Sequence, residues 1–114
     1  MEINLDQKQF KAISNSVNGS VDDSTTFNYY QSGEMLWATY QGGQILKGHL
    51  LGTIKDHKLN FVYHHLEKDL AVRTGKCTSI VSLNKAGKIT LAESWQWTNG
   101  DLSKGTSTLI EWTP

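Results

Sequence analysis

The chain has 114 residues, and its 11 lysines and arginines balance its 11 aspartates and glutamates. This length allows one domain, and the balanced, interspersed charge gives no reason to expect nucleic acid or an anionic membrane as a partner. The single cysteine, Cys77, excludes an internal disulfide and a cysteine-based metal motif. Because the N-terminal MEINLDQKQF lacks a signal-peptide pattern and no apolar run approaches the ~20 residues of a membrane helix, we expect a cytoplasmic protein.

The predicted elements are strands, because apolar and polar residues alternate along most of the chain. Residues 1–8 are expected to be irregular, and the only candidate helix has a poor apolar stripe. Turn sequences divide the rest of a single domain, 1–114, into eight segments. The strands are predicted at 9–17, 25–31, 35–41, 44–55, 59–66, 70–79, 88–98 and 103–113, with 80–86 as a looser connection.

The connections between these strands predict how they are arranged. Most are about two to four residues long, and Gly42-Gly43 is a strong hairpin signal. Short connections pair consecutive strands antiparallel, so the fold class is all-β and the sheet is a meander. Eight such strands remove their exposed edges by closing into an up-and-down barrel, which is either filled by side chains or holds one small ligand. A two-sheet sandwich is the alternative, and it would need longer crossovers.

Glu93 is the most informative residue of the strand predicted at 88–98. At a period of two, one face of this strand carries Ile89, Leu91, Glu93, Trp95 and Trp97. A carboxylate on an apolar face needs a partner, a raised pKa or a wet interior. A wet interior lined with tryptophan indicates a binding cavity.

Alignment of the strand faces gathers aromatic and polar side chains in the barrel interior. An apolar cavity with a few convergent polar groups is typical of a small-molecule site. The candidate ligand-binding residues are Gln31, Tyr40, Phe61, Tyr63, His65, Cys77, Glu93, Trp95, Trp97 and Glu111. Several of them also have a structural interpretation. Glu93 and Glu111 could pair with Arg73 or a lysine, or hydrogen-bond a tyrosine. His65 could be a core histidine bonded to a backbone carbonyl, and the tryptophans could serve packing alone.

Four glycines fall on the same inner face. Gly48, Gly75 and Gly105 each lie near the start of a strand, and Gly52 follows in the fourth strand. A glycine inside a strand marks a bend or a close approach of the backbone to another group. We therefore expect these positions to shape the barrel interior.

Two other functions remain open from the sequence. An enzyme could use Glu93 or His65 as a general base and Tyr63 as a donor, with Cys77 as a conceivable nucleophile or an inert buried thiol. A filled barrel could instead be a structural or interaction module that forms a homodimer. The outward-facing apolar residues that could form its interface are Trp37, Val62, Ile110 and Trp112. No cofactor or metal is predicted, because the neighbours His64 and His65 point to opposite faces.

Several segments together carry a family resemblance. FNYYQSGEMLWATYQGGQILKGHLLGTI, LNFVYHH, RTGKCTS, GKITLAESWQWTNGDLSKGTS and LIEW resemble a group of small bacterial proteins, some of which carry the name N-acetylglutamate synthase. The likeness covers roughly 27–112, and WQWT-x-GD-x-S-x-G is its most specific part. It implies a small meander barrel of lipocalin-like or calycin-like shape and transfers no catalytic residue. An acetyltransferase of that kind would need an α/β chain with a pyrophosphate-binding turn before a helix, and this sequence supplies neither.

Overall fold

Eight strands close into one barrel in the computed structural model, which describes residues 3–113. The strands are β1 (Lys8–Asn15), β2 (Thr26–Ser32), β3 (Met35–Gly42), β4 (Ile45–Lys55), β5 (Lys58–Glu67), β6 (Val72–Leu83), β7 (Ile89–Trp97) and β8 (Lys104–Glu111). Consecutive strands pair antiparallel, and β1 closes the barrel against β8. The predicted all-β meander barrel is confirmed, and the sandwich alternative is wrong. None of the described residues forms a helix long and apolar enough to span a bilayer.

Most strand ends lie within two residues of the predicted bounds, and two of the differences have a clear structural reason. β6 continues to Leu83 through the segment expected to be a loose connection, because Val81 is buried and its neighbours stay paired with β7. β1 ends at Asn15 instead of residue 17. A register shift between Ala12 and Ser14 interrupts its pairing with β8, and a β-bulge of this kind moves the following residues to the other face.

The two ends of the barrel are built differently. One end, the closed end, carries the β2–β3, β4–β5 and β6–β7 turns and is filled by completely buried side chains: Phe10, Tyr29, Leu36, Leu59, Leu91 and Leu109. Leu5, also completely buried, adds to this packing from the N-terminal segment. Gln31 holds that segment, because its Oε1 accepts a hydrogen bond from the Leu5 amide at 3.0 Å. The opposite end, the open end, carries the β1–β2 loop and the three remaining turns.

Two inward-facing glycines make room for aromatic rings. A Cβ atom at Gly75 would overlap the phenol ring of Tyr63, and one at Gly48 would overlap the ring of Tyr40. In each pair the glycine and the tyrosine lie opposite each other on neighbouring strands. The close approach expected from the sequence is therefore an approach of ring to backbone, and it turns both phenols toward the barrel interior.

Candidate functional site

A cavity of about 50 Å³ lies inside the barrel near the open end. Its aromatic lining consists of Phe27, Tyr40, Phe61, Tyr63, Trp95 and Trp97. Its polar lining consists of Asn15, Ser20, His65, Cys77, Glu93 and Ser107. A water molecule needs about 10–15 Å³ of cavity volume, so the cavity accommodates about four water-sized groups. The barrel is mostly filled, with a small cavity on one side of its centre.

Eight of the ten predicted ligand-binding residues line this cavity: Tyr40, Phe61, Tyr63, His65, Cys77, Glu93, Trp95 and Trp97. The other two, Gln31 and Glu111, are absent from the lining and lie at the closed end. Glu111 accepts a hydrogen bond from the Ile89 amide at 3.1 Å and lies 3.8 Å from Lys8 Nζ. They lie away from this cavity, because alternation predicts the face of a residue and not its height along the barrel.

Aromatic rings form a continuous wall around the cavity. The imidazole of His65 lies between Tyr40 and Trp97, with ring centroids 5.7 and 5.6 Å away. Trp97 also contacts Trp95 at 5.4 Å and Tyr63 at 5.8 Å. These edge and tilted contacts are the favourable geometries of aromatic pairs. The tryptophans therefore pack against their neighbours and present surface to the cavity at the same time.

The carboxyl group of Glu93 is hydrogen-bonded to a serine and forms no ion pair among the described residues. In the barrel register it lies between Ser79 on β6 and Ser107 on β8. Ser107 Oγ donates a hydrogen bond of 2.7 Å to Glu93 Oε1. Burial raises the pKa of Glu93 to about 7, although the Ser107 hydrogen bond opposes this shift. The expected ion pair with Arg73 or a lysine is absent from the described residues, so Glu93 titrates near neutral pH inside the cavity.

His65 belongs to a chain of hydrogen bonds at the open end. Its Nδ1 lies 3.0 Å from Tyr40 Oη, and its Nε2 lies 3.0 Å from Glu67 Oε2. Glu67 also accepts a hydrogen bond from Ser20 Oγ in the β1–β2 loop. Burial lowers the pKa of His65, while the hydrogen bond and charge of Glu67 oppose that shift. A neutral ring that donates from Nε2 to the carboxylate and accepts at Nδ1 satisfies every partner.

The β1–β2 loop, residues 16–25, lines part of the cavity and is held in place by Trp95 and Trp97 of β7. Trp97 Nε1 donates to the backbone oxygen of Asn18 at 3.2 Å. Trp95 Nε1 donates to Asn15 Oδ1 at 3.1 Å, and Asn15 Nδ2 donates to the backbone oxygen of Val21 at 2.9 Å. No alternation in the sequence indicates these loop contacts, and Asn15 points inward because of the bulge in β1.

Cys77 lines the cavity as a protonated thiol. Burial raises its pKa, and the charge of Glu93 raises it further. Its Sγ makes one weak contact, 3.6 Å to the backbone oxygen of Thr78, and no hydrogen bond to His65 joins it among the described residues. Nucleophilic chemistry requires the thiolate, so this environment favours an inert thiol. Within residues 3–113, no three His, Cys, Asp or Glu side chains are grouped to hold a metal ion.

Comparison with known proteins gives one match. A family model described as avidin-like protein matches residues 3–112. This range contains all eight strands and every residue that lines the cavity. No curated protein and no solved structure matches the chain.

Proposed function

Because the chain belongs to the avidin-like protein family, we propose that it binds a small molecule in the cavity at the open end of the barrel. The observation that carries this proposal is the cavity itself, in which tryptophan and tyrosine rings surround the carboxyl group of Glu93. Eight-stranded barrels of this kind hold one small ligand in lipocalins and streptavidin. An aromatic lining with a few polar groups is the common composition of such sites.

The size of the cavity restricts the ligand. Pockets for drug-sized molecules are about 300–1,000 Å³, well above the cavity of about 50 Å³ seen here. A ligand therefore places a small group in the cavity, or it enters as the β1–β2 loop moves. The second route requires the loop to separate from the indole of Trp97 and from Asn15, which the indole of Trp95 holds.

Native mass spectrometry of the protein purified from its own host, followed by titration of tryptophan emission, tests the proposal. We expect a copurifying compound and saturable quenching when it is added back. Biotin is a suitable first compound for the titration, because streptavidin binds it tightly. Trp97→Phe should weaken the affinity, whereas Trp37→Phe, on the outer face, should not. A bare protein mass together with no saturable response to biotin or to host metabolite extracts would contradict the proposal.

An enzymatic use of the same cavity is a second candidate, favoured by the pKa of Glu93 near neutral pH. A general base works best when its pKa lies near the operating pH. The hydroxyl of Tyr63, whose pKa burial raises, would remain protonated and able to donate a hydrogen bond. Conversion of a bound compound that stops in Glu93→Gln while binding persists would support this candidate, and unchanged compound would exclude it.

We also propose that the chain forms a homodimer through its outer surface. Trp37, Leu51 and Val62 lie side by side across β3, β4 and β5 in the barrel register. Leu51 and Val62 are 57% and 62% exposed, and Tyr30 stacks on Trp37 at 5.8 Å to extend the apolar row. Contiguous exposed apolar residues of this kind mark interaction surfaces.

Sedimentation equilibrium across a range of concentrations tests the homodimer. We expect a mass that rises to twice the monomer mass, and we expect Val62→Lys to shift the equilibrium toward the monomer. Ile80→Lys is the matched control, because Ile80 is 50% exposed and lies outside the apolar row. A monomer at every concentration would remove the proposal.

A further inference from the structure

Among the described residues that line the cavity, Glu93 is the only carboxylic acid, and it has no cationic partner there. The fifteen lining residues include no lysine or arginine, and the one histidine, His65, has a lowered pKa. Arg73 stacks on Trp97 at 4.0 Å but is not part of the lining. An ionised Glu93 therefore has no counter-ion among the described residues.

Two buried hydroxyl groups without hydrogen-bond partners lie near Glu93, behind the residues that line the cavity. Ser79 Oγ and Tyr29 Oη are buried and unpaired among the described residues. Ser79 is opposite Glu93 in the register, and Tyr29 is close enough for the charge of Glu93 to raise its pKa. Glu93 itself uses only Oε1, toward Ser107. The second carboxyl oxygen, Oε2, accepts no hydrogen bond from the described residues, so Glu93 suits a ligand that brings donors.

The aromatic wall also favours positive charge. The faces of tryptophan and tyrosine rings attract a cation within about 6 Å, most strongly where water is excluded. Trp95, Trp97, Tyr63 and Phe61 all line the same small space as Glu93. An anionic ligand would meet the carboxylate of Glu93 and find no cation in the lining.

We infer that the cavity binds the ammonium group of a small primary amine, with Glu93 as its counter-ion and the aromatic wall around its first methylene groups. This inference rests on the proposed binding function and names its ligand class. An ammonium group carries three N–H donors and no acceptor, which matches a lining that offers the carboxylate of Glu93 and the hydroxyl oxygens of Tyr63 and Ser107. Its size also agrees with a cavity of about 50 Å³.

The affinity of the cavity for an amine should depend on pH. Binding of an ammonium group favours the ionised carboxylate, so affinity should rise with pH through about 7, the pKa of Glu93. The titratable groups near Glu93 are Tyr29 on β2, Tyr40 on β3, Tyr63 on β5 and Cys77 on β6, and each has a raised pKa and stays neutral near pH 7. His65 on β5 also lines the cavity, and its lowered pKa places its protonation below pH 6.5, on the acid side of the titration of Glu93. The change in affinity above pH 6.5 therefore reports the titration of Glu93.

Three probes of equal length test the charge preference: n-butylamine, n-butanol and butyrate. Their affinities for the intact protein are measured at pH 8 by tryptophan emission and by saturation-transfer NMR. We expect the amine to bind at least tenfold more tightly than the alcohol and butyrate not to bind. Glu93→Gln should remove the tenfold preference and leave the alcohol unchanged. Glu111→Gln, which changes a carboxylate at the closed end, is the control and should alter nothing.

A pH series on the unmodified protein needs no variant and so does not depend on how Glu93→Gln folds. Between pH 8 and pH 5.5 we expect the affinity for n-butylamine to fall about tenfold while that for n-butanol stays constant. Equal affinity for amine and alcohol, tighter binding of butyrate, or no binding of any probe would overturn the amine inference. A different compound that copurifies and rebinds would still sustain the proposed function, so the two failures are distinguishable.

Discussion

The indole N–H of Trp97 donates to the backbone oxygen of Asn18 at 3.2 Å, which joins the cavity wall to the loop above it. Trp95 reaches the loop through Asn15 at the end of β1: its indole donates to Asn15 Oδ1 at 3.1 Å, and Asn15 Nδ2 donates to the backbone oxygen of Val21. Both tryptophans thus have an apolar face toward the interior and a polar edge that satisfies the loop. We therefore expect a displacement of either indole ring to displace the β1–β2 loop as well.

Trp97→Phe should loosen the β1–β2 loop, because it keeps an aromatic ring but removes the donor to Asn18. We expect a loss of about 1–2 kcal/mol in the free energy of unfolding, typical of a buried hydrogen bond left unmade. Hydrogen exchange should accelerate in residues 16–25. Trp37→Phe is the control, since Trp37 stacks on Tyr30 at the outer surface. Unchanged exchange in the loop would show that the indole contact does not hold it.

Glu93 should make the protein less stable as pH rises. Its pKa is about 7 in the folded state against 4.5 for an ordinary glutamate, so the folded state binds its proton more tightly. The stability that this proton contributes is complete below pH 4.5 and is lost as pH rises to about 7. At 1.36 kcal/mol per pKa unit the loss is about 3 kcal/mol.

Urea denaturation at several pH values, with Glu93→Gln as the comparison, isolates this effect. His65, whose lowered pKa acts in the opposite direction below pH 6.5, contributes equally to both proteins. The variant should therefore gain stability relative to the unmodified protein between pH 4.5 and pH 8. A constant difference across this range would mean that Glu93 does not titrate there.

His65 should titrate below its usual pKa of 6.5, because burial disfavours the imidazolium. Glu67→Gln should lower the pKa further, since it removes the carboxylate that hydrogen-bonds Nε2 at 3.0 Å. NMR of the imidazole nitrogens across pH 4–8 measures both values and identifies the tautomer. A pKa of 6.5 or above in the unmodified protein would contradict the prediction.

Gly75→Ala should displace the ring of Tyr63, because the added Cβ would overlap it. We expect a loss of about 1–3 kcal/mol in the free energy of unfolding, the usual cost of overpacking. In the double variant Gly75→Ala with Tyr63→Leu, the shorter side chain should relieve the overlap. The double variant should then lose less than the two single changes together. Strict additivity would mean that ring and backbone do not compete for this space.

Cys77 should react slowly with a disulfide reagent such as DTNB while the protein is folded. It is buried and its pKa is raised, so little thiolate is available. The expected result is rapid modification only after unfolding in denaturant. In a Cys77→Ser background, Lys76→Cys on the outer face provides a reactive reference at the adjacent position. Fast reaction of Cys77 in the folded protein would instead show an accessible thiolate, as a nucleophile requires.

The amino-acid sequence by itself determined the architecture and most of the cavity wall. Alternation over eight segments with short turns leaves few ways to hide strand edges, and a closed meander barrel is the simplest. The same alternation identifies an inner face, which is why Tyr63, His65, Glu93, Trp95 and Trp97 were found together. Period-two patterns report the face of each residue directly.

Only the tertiary structure decided which inner residues meet, and how much space they leave. Gln31 and Glu111 share the inner face with Glu93 yet lie at the closed end, since height depends on strand register and tilt. Asn15 points inward because of the bulge in β1, which the alternation of apolar and polar residues does not predict. The cavity volume depends on how the fifteen lining residues, seven of which carry rings, fit at van der Waals contact. That fit arises from side chains far apart in the chain, so no local pattern contains it.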